Sequence, residues 1–264
     1  MLIEGYTNGN PVFHLAGFTI AVGPLEIPPH ILLETLAYTV GFAIYARDRK
    51  RQGDVIDTSA RSSVLVAAIL GAAIGSKLLA WLEDPAELMA HTNQWQMWLG
   101  AKTIVGGLLG GTIAVEWVKA RLGIASRTGD LFAVPLAIGI AIGRVGCFLS
   151  GLADRTYGTA TRWPWGVDFG DGIPRHPTQI YESAFLLALA WQLVRFRQMS
   201  HRNGDVFRLF MLSYMMWRLC IDFLKPGIPF VGLTAIQWAC AAALVWYSRD
   251  AARILTRQRI AAHG

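Results

Sequence analysis

Seven ionisable side chains fall inside otherwise apolar stretches: Glu34, Lys77, Lys102, Arg144, Glu182, Arg218 and Asp222. Charge at such positions is costly, so these groups usually face a packed interior with a partner and mark function; Lys77, five residues before Leu82, reads equally well as a side chain snorkelling to the interface. Four cations stand against three acids, and that surplus of positive charge invites an anionic ligand. Where the apolar stretches are membrane helices, the abundant anion is a phospholipid phosphate. Arginine suits it, because its planar fork binds phosphate oxygens bidentately. Arg144 lies between Gly143 and Gly146, small neighbours that signal close helix packing rather than a side chain reaching out to the interface. Tyr214, Arg218 and Asp222 are spaced i, i+4, i+8 and share one helix face. An Arg218–Asp222 pair with only a structural job is the plainer reading of that face.

The stretch WGVDFGDGIPRHPTQIYES adds Asp168, Asp171, Arg175, His176, Thr178, Tyr181 and Glu182. His176 lies between Pro174 and Pro177, which stiffen the backbone. It is either a general base or a hydrogen-bonded structural imidazole. Its nearest histidine, His14, belongs to an unrelated segment, so no metal site is expected there. The cysteines Cys147, Cys220 and Cys240 lie in apolar runs without a CxxC partner. Neither a disulfide framework nor a zinc site is expected of them. IVGGLLGG, from Ile104 to Gly111, has GxxxG spacing between Gly106 and Gly110. Small residues there serve either close helix packing or, at Gly106 and Gly107, close approach of a lipid headgroup to bare backbone.

The elements that must position these groups are membrane helices. Of 264 residues, 53% are hydrophobic and 16% charged, against about 25% charged in soluble domains, and the mean hydropathy is +0.38. An all-α polytopic membrane protein follows, with spans near 29–46, 62–82, 97–118, 131–150, 178–195, 206–224 and 232–248. No polar linker divides the runs, so residues 1–264 read as one integral-membrane domain. Residues 1–28 form an N-terminal outer or interfacial segment, with 11–26 too short and too interrupted to span and read as lying at the interface or packing as a helix or hairpin. The net charge of +6 does not indicate nucleic acid. The basic residues cluster in the first, third and fifth links and in the tail, placing these on the cytoplasmic side. The N-terminus and the long link 151–177 then face outward, the link as a periplasmic head. Trp81, Trp95, Trp98, Trp163 and Trp165 would anchor the outer interface, and Trp117, Trp191 and Trp246 the inner one. The first residues lack a basic segment followed by a signal core, so no cleaved leader is expected.

Several of these stretches together resemble the prolipoprotein diacylglyceryl transferases of bacterial inner membranes. GRVGCFLSG is similar to that family's G-R-x-G-N-F-x-N-G signature, PRHPTQIYES to R-H-P-S-Q-L-Y-E, SYMMWRLCIDF to a late Tyr…Arg…acidic helix, and VGGLLGG to H-G-G-L-x-G. The resemblance implies a transfer of a diacylglyceryl group from phosphatidylglycerol to the lipobox cysteine thiol of a preprolipoprotein, with glycerol phosphate leaving and no cofactor. It implies that Arg144 and Arg218 hold the phosphate, with Arg175, Tyr181, Glu182, Tyr214, Gly106 and Gly107 around the lipid. His176, Glu34, Lys102 and Asp222 are left as acid/base groups. The chain also departs from the pattern. Cys147 and Ser150 stand where the family has asparagine, and Leu152 where it has an acid, with Asp154 the nearest substitute. Val105 replaces a histidine, and Glu34 a first-span tyrosine. These changes leave open a relative that transfers part of an anionic phospholipid to a non-protein acceptor, or a lipid-binding or transport protein without activity.

Overall fold

The computed structural model describes residues 2–7, 10–15, 20–22, 25–90, 100, 102–199 and 201–263. The chain is mostly helical. Its helices are α1 (Pro29–Gln52), α2 (Thr58–Glu83), a short α3 (Pro85–Ala90), α4 (Ile104–Arg121), α5 (Asp130–Leu149), α6 (Thr178–Arg197), α7 (Asp205–Ile221) and α8 (Ala235–His263). Each of the seven expected runs coincides with one of the longer helices. The third begins later than expected, and residues 97–99 of that run, with Trp95 and Trp98, lie outside the described residues. α2 and α5 are long and apolar enough to cross a membrane. Only 17% of the most apolar window of α2 is buried, and Val66, Ile69, Leu70, Ile74, Leu78 and Leu82 are exposed along it. A face that apolar belongs against lipid, not water.

The expectation of an all-α chain needs correction. β1 (Leu2–Thr7) and β2 (Asn10–Leu15) form an antiparallel hairpin. β2 pairs in parallel with β5 (Val167–Asp168), which pairs with β6 (Pro174–Arg175). Link 151–177 therefore shares a four-stranded sheet with the N-terminal segment. β3 (Ile20–Val22) and β4 (Leu25–Ile27) make a second hairpin. Strands of two or three residues give almost no periodic signal in sequence.

By its internal packing the chain falls into two compact units. The first comprises Met1–Gly53, Asp130–His201 and Phe223–Pro226; the second comprises Asp54–Gly129, Arg202–Asp222 and Gly227–Gly264. In the first unit α5 packs against both α1 and α6. Pro29 opens α1 at a position where a missing N–H costs nothing. Arg197 at the end of α6 reaches Asp48 at the end of α1 at 2.5 Å. Thr159 N–H donates to Leu224 O at 2.7 Å, seating the 223–226 segment on the link.

In the second unit α2 packs along α4, and α7 against α8. Asp57 caps α2 by accepting from the N–H groups of Ser59 and Ala60. Arg61 is buried, pairs with Asp54 and donates to Thr128 O at 3.2 Å. Arg253 reaches Asp205 at 2.7 Å. At the other end, Ile236 N–H donates to Glu83 at 2.6 Å. The α2–α4 crossing is built on glycine. A Cβ on Gly75 would lie 2.8 Å from Gly110 Cα and collide with Gly106 O; one on Gly106 would collide with Gly75 O. Gly106 thus serves helix packing, and the reading of its bare backbone as a lipid contact is set aside. Gly107 is different: an added Cβ would meet Ala72 O at an ordinary 3.6 Å. Gly106→Ala should therefore lower stability by about 1–3 kcal/mol, while Gly107→Ala melts near wild type, as followed by thermal unfolding in detergent.

Candidate functional site

The first unit holds a buried charge cluster made by three elements. Arg144, near the end of α5, places Nε 2.9 Å from Glu182 Oε2 on α6. Glu182 is fully buried and Arg144 is 6% exposed. Lys225 Nζ approaches the same Glu182 oxygen at 3.7 Å. α6 is held in this register by Ser183 Oγ, which donates to Ala141 O at 3.0 Å. At its start, Thr178 Oγ1 donates to Thr156 O at 3.1 Å. Gln179 lies on the same α6 face, one turn before Glu182, and is fully buried. Neither its Oε1 nor its Nε2 has a hydrogen-bond partner among the described residues. An amide buried that way costs about 1–3 kcal/mol, which marks Gln179 as a residue with work other than folding.

A second cluster adjoins Arg144 through Cys147. Arg144 Nη1 and Cys147 Sγ are 4.0 Å apart, and Cys147 Sγ is 4.0 Å from His30 Nδ1. His30 Nδ1 is 3.5 Å from Asp154 Oδ1, and its Nε2 is 3.3 Å from Glu34 Oε2. Tyr38 donates to Glu34 Oε1 at 3.1 Å. Asp154 sits on a one-turn helix, Gly151–Asp154, that directly follows Ser150. Asp154, two residues beyond Leu152, thus brings a carboxylate to this cluster. Among the described residues, His30, Cys147 and Asp154 bring their donor atoms within 4.8 Å of one another. His30 and Cys147 are 117 residues apart in sequence, a separation no spacing rule detects.

In the link, backbone bonds fix His176: its N–H donates to Thr159 O at 3.1 Å and its carbonyl accepts from Gly158 N–H at 2.9 Å. Gly158 must lack a side chain, since a Cβ there would meet His176 Cβ at 2.7 Å. The His176 Nδ1 atom is 3.3 Å from the Tyr181 hydroxyl. Arg175 is engaged elsewhere: it grips Asp171 with both Nη atoms, at 2.6 and 2.7 Å, and lies over the Tyr157 ring. That grip holds the Asp171 carboxyl below its usual range and assigns Arg175 to shaping the link.

The second unit carries the other expected residues. Arg218 Nη2 donates to Asp222 Oδ1 at 2.9 Å, and Thr234 Oγ1 donates to Asp222 Oδ2 at 2.8 Å. Gln237 Oε1 accepts from Thr234 N–H, and Gln237 Nε2 donates to Leu219 O. Tyr214 is fully buried and stacks on Phe210, with centroids 6.0 Å apart. Lys102 was expected within a span. It precedes α4 and is exposed. Glu34 lies in the first unit and Lys102 in the second.

Glu182 is the most exacting of these groups, because it answers a buried guanidinium. Glu182→Leu should cost about 3–5 kcal/mol, and Arg144→Met combined with Glu182→Leu should recover most of it. Chemical unfolding in detergent reads this; a single variant as stable as wild type would show that the pair does not hold α5 to α6.

Comparison with known proteins extends the likeness over most of the chain. A family model described as prolipoprotein diacylglyceryl transferase matches residues 18–248. Proteins named phosphatidylglycerol–prolipoprotein diacylglyceryl transferase are similar over most of the chain. That of Bordetella bronchiseptica is 30% identical, over 82% of this chain and 84% of its own length. That of Coxiella burnetii is 30% identical over 85% and 87%. That of Nitrosomonas europaea is 30% identical over 91% and 95%.

Proposed function

We propose, for a chain that belongs to the prolipoprotein diacylglyceryl transferase family, that it transfers the diacylglyceryl group of phosphatidylglycerol to the lipobox cysteine thiol of a preprolipoprotein. The thiol sulfur attacks the glycerol carbon that carries the phosphate ester. The carbon–oxygen bond breaks, a thioether forms, and glycerol phosphate leaves with the electron pair. The observation that carries this reading is a buried guanidinium, Arg144, paired with an α6 face whose next polar group is the unsatisfied amide of Gln179.

Arg144 binds the phosphate and stabilises charge growing on the leaving oxygen. Gln179, with a donor and an acceptor to offer, binds the lipid's glycerol or phosphate oxygens. Arg218 is a phosphate ligand in this reading by its likeness to the family's late Tyr…Arg…acidic helix; it is held by Asp222, which Thr234 in turn orients. His176 takes the thiol proton: with Nδ1 engaged by Tyr181, Nε2 is the nitrogen that accepts it, and a rigid backbone keeps it in place. A thiol needs such help because only its thiolate is a good nucleophile.

The membrane frame belongs to the same proposal. The seven long helices cross the bacterial inner membrane, with the basic links and the tail in the cytoplasm and the head formed by 151–177 and the N-terminal strands outside. Contacts inside each unit support this sidedness. Asp48 and Arg197 join the first and fifth links, and Arg61 and Thr128 join the first and third. All three links are assigned to the cytoplasm by their charge.

The test is transfer in detergent from radiolabelled phosphatidylglycerol to a lipobox peptide. Label should move to the peptide with release of glycerol phosphate. Arg144→Ala should lower the rate about 10²–10³-fold, as for loss of one oxyanion donor, and Gln179→Leu should raise the donor requirement. Label that never leaves the lipid, or an Arg144→Ala protein at full rate, would refute the reading.

A further inference from the structure

We infer that His30, Cys147 and Asp154 form a binding site for one divalent transition-metal ion of the zinc class. The ligand types are those zinc takes: an imidazole nitrogen, a thiolate and a carboxylate oxygen. The spacing fits. Zinc-to-ligand bonds of about 2.0–2.3 Å in a tetrahedron put neighbouring ligand atoms roughly 3.4–3.6 Å apart. His30 Nδ1 and Asp154 Oδ1 are already 3.5 Å apart. Cys147 Sγ is 4.0 Å from His30 Nδ1 and all three donor atoms lie within 4.8 Å of one another, so closure of the thiol on the other two donors completes three corners of the tetrahedron. Three protein ligands leave a fourth position for an exchangeable group, the arrangement of reactive rather than purely structural zinc sites.

The surroundings argue as strongly as the ligands. A metal-bound histidine commonly donates its other ring nitrogen to a carboxylate, which fixes ring and tautomer. His30 has that partner: Nε2 meets Glu34 Oε2 at 3.3 Å while Nδ1 faces Cys147 and Asp154. Glu34 is itself steadied by the Tyr38 hydroxyl. Asp154 is steered in the same way, with Thr156 Oγ1 donating to Oδ2 at 2.7 Å so that Oδ1 turns toward His30. Packing brings the ligands together: a Cβ on Gly146 would lie 3.0 Å from Leu33 Cβ and 3.5 Å from His30 Cα. A bare backbone beside Cys147 is what lets α1 come this close. Arg144, 4.0 Å from the thiol, adds positive charge, but Glu182 offsets it at 2.9 Å. The thiolate, Asp154 and Glu34 together supply more than enough negative charge for a dication.

The inference does not depend on the transfer reading, and its test does not use transfer. Purified protein in detergent is stripped with a chelator and titrated with Co²⁺. We expect saturation at one ion per chain, a near-ultraviolet thiolate-to-cobalt charge-transfer band and the visible bands of four-coordinate cobalt. Cys147→Ser should abolish the charge-transfer band, whereas Cys220→Ser and Cys240→Ser retain it. Glu34→Gln should weaken binding about 10–100-fold, the usual effect of losing such a supporting partner. Wild-type protein of undiminished helicity that gives no charge-transfer band, or a band that survives Cys147→Ser, would overturn the site and leave a hydrogen-bonded cluster only.

Discussion

A guanidinium taken out of water must be answered within hydrogen-bonding reach, and in the first unit that requirement organises everything around it. Arg144 and Glu182 sit on different helices, so satisfying the charge fixes the height of α6 against α5. Ser183 and Thr178 then lock the same register through backbone carbonyls. A pair of this kind adds little net stability, because desolvation consumes most of the attraction. Its effect is on geometry. Once α6 is placed, Gln179 is buried on the face that carries Glu182, and the link leading into α6 must present His176 at its mouth. The second unit repeats the device: Asp222 answers Arg218, and Thr234 and Gln237 tie that acid to the start of α8.

Small residues are the counterpart of the buried charges. Where α2 meets α4, and where α1 meets α5, glycine removes the side chain that would keep the backbones apart. In a membrane the hydrophobic effect does not drive helices together, so close van der Waals contact has to do so. The tryptophans mark the other boundary. Trp117 and Trp191 each carry an arginine one turn later, Arg121 and Arg195, stacked over the ring at 4.8 and 5.0 Å. Both pairs stand at helix ends, where an amphipathic ring and a long cationic side chain suit a headgroup layer.

Much of this was legible beforehand. Apolar runs of about 20 residues specify helices strongly, and each of the seven expected runs is helical over most of its described residues. The buried charges were equally visible, since Arg144 and Glu182 stand out against their apolar neighbours. What the sequence hid falls into two kinds. Short strands such as Val167–Asp168 have no periodicity to detect and exist only because a distant hairpin accepts their hydrogen bonds. Contacts across long separations were the other kind. His30 lies in the first turn of α1, in an unremarkable PPHILLE stretch, and only the α1–α5 packing gives it Cys147 and Asp154 as neighbours. GxxxG spacing was visible, but whether backbone or ligand would fill the space at Gly106 depended on where Gly75 came to rest.

The pairing of β2 with β5 has a consequence for how the protein is made. Phe13 and His14 take as partners Val167 and Asp168, residues synthesised some 150 positions later. Through most of translation the hairpin's outer edge therefore waits without its neighbour, and a bare edge is an invitation to the wrong strand. Closing so long a loop is slow. The sheet is thus a late-closing clasp: its last two strands exist only after residue 175 has been made, and their pairing ties the N-terminal hairpin to the link between α5 and α6.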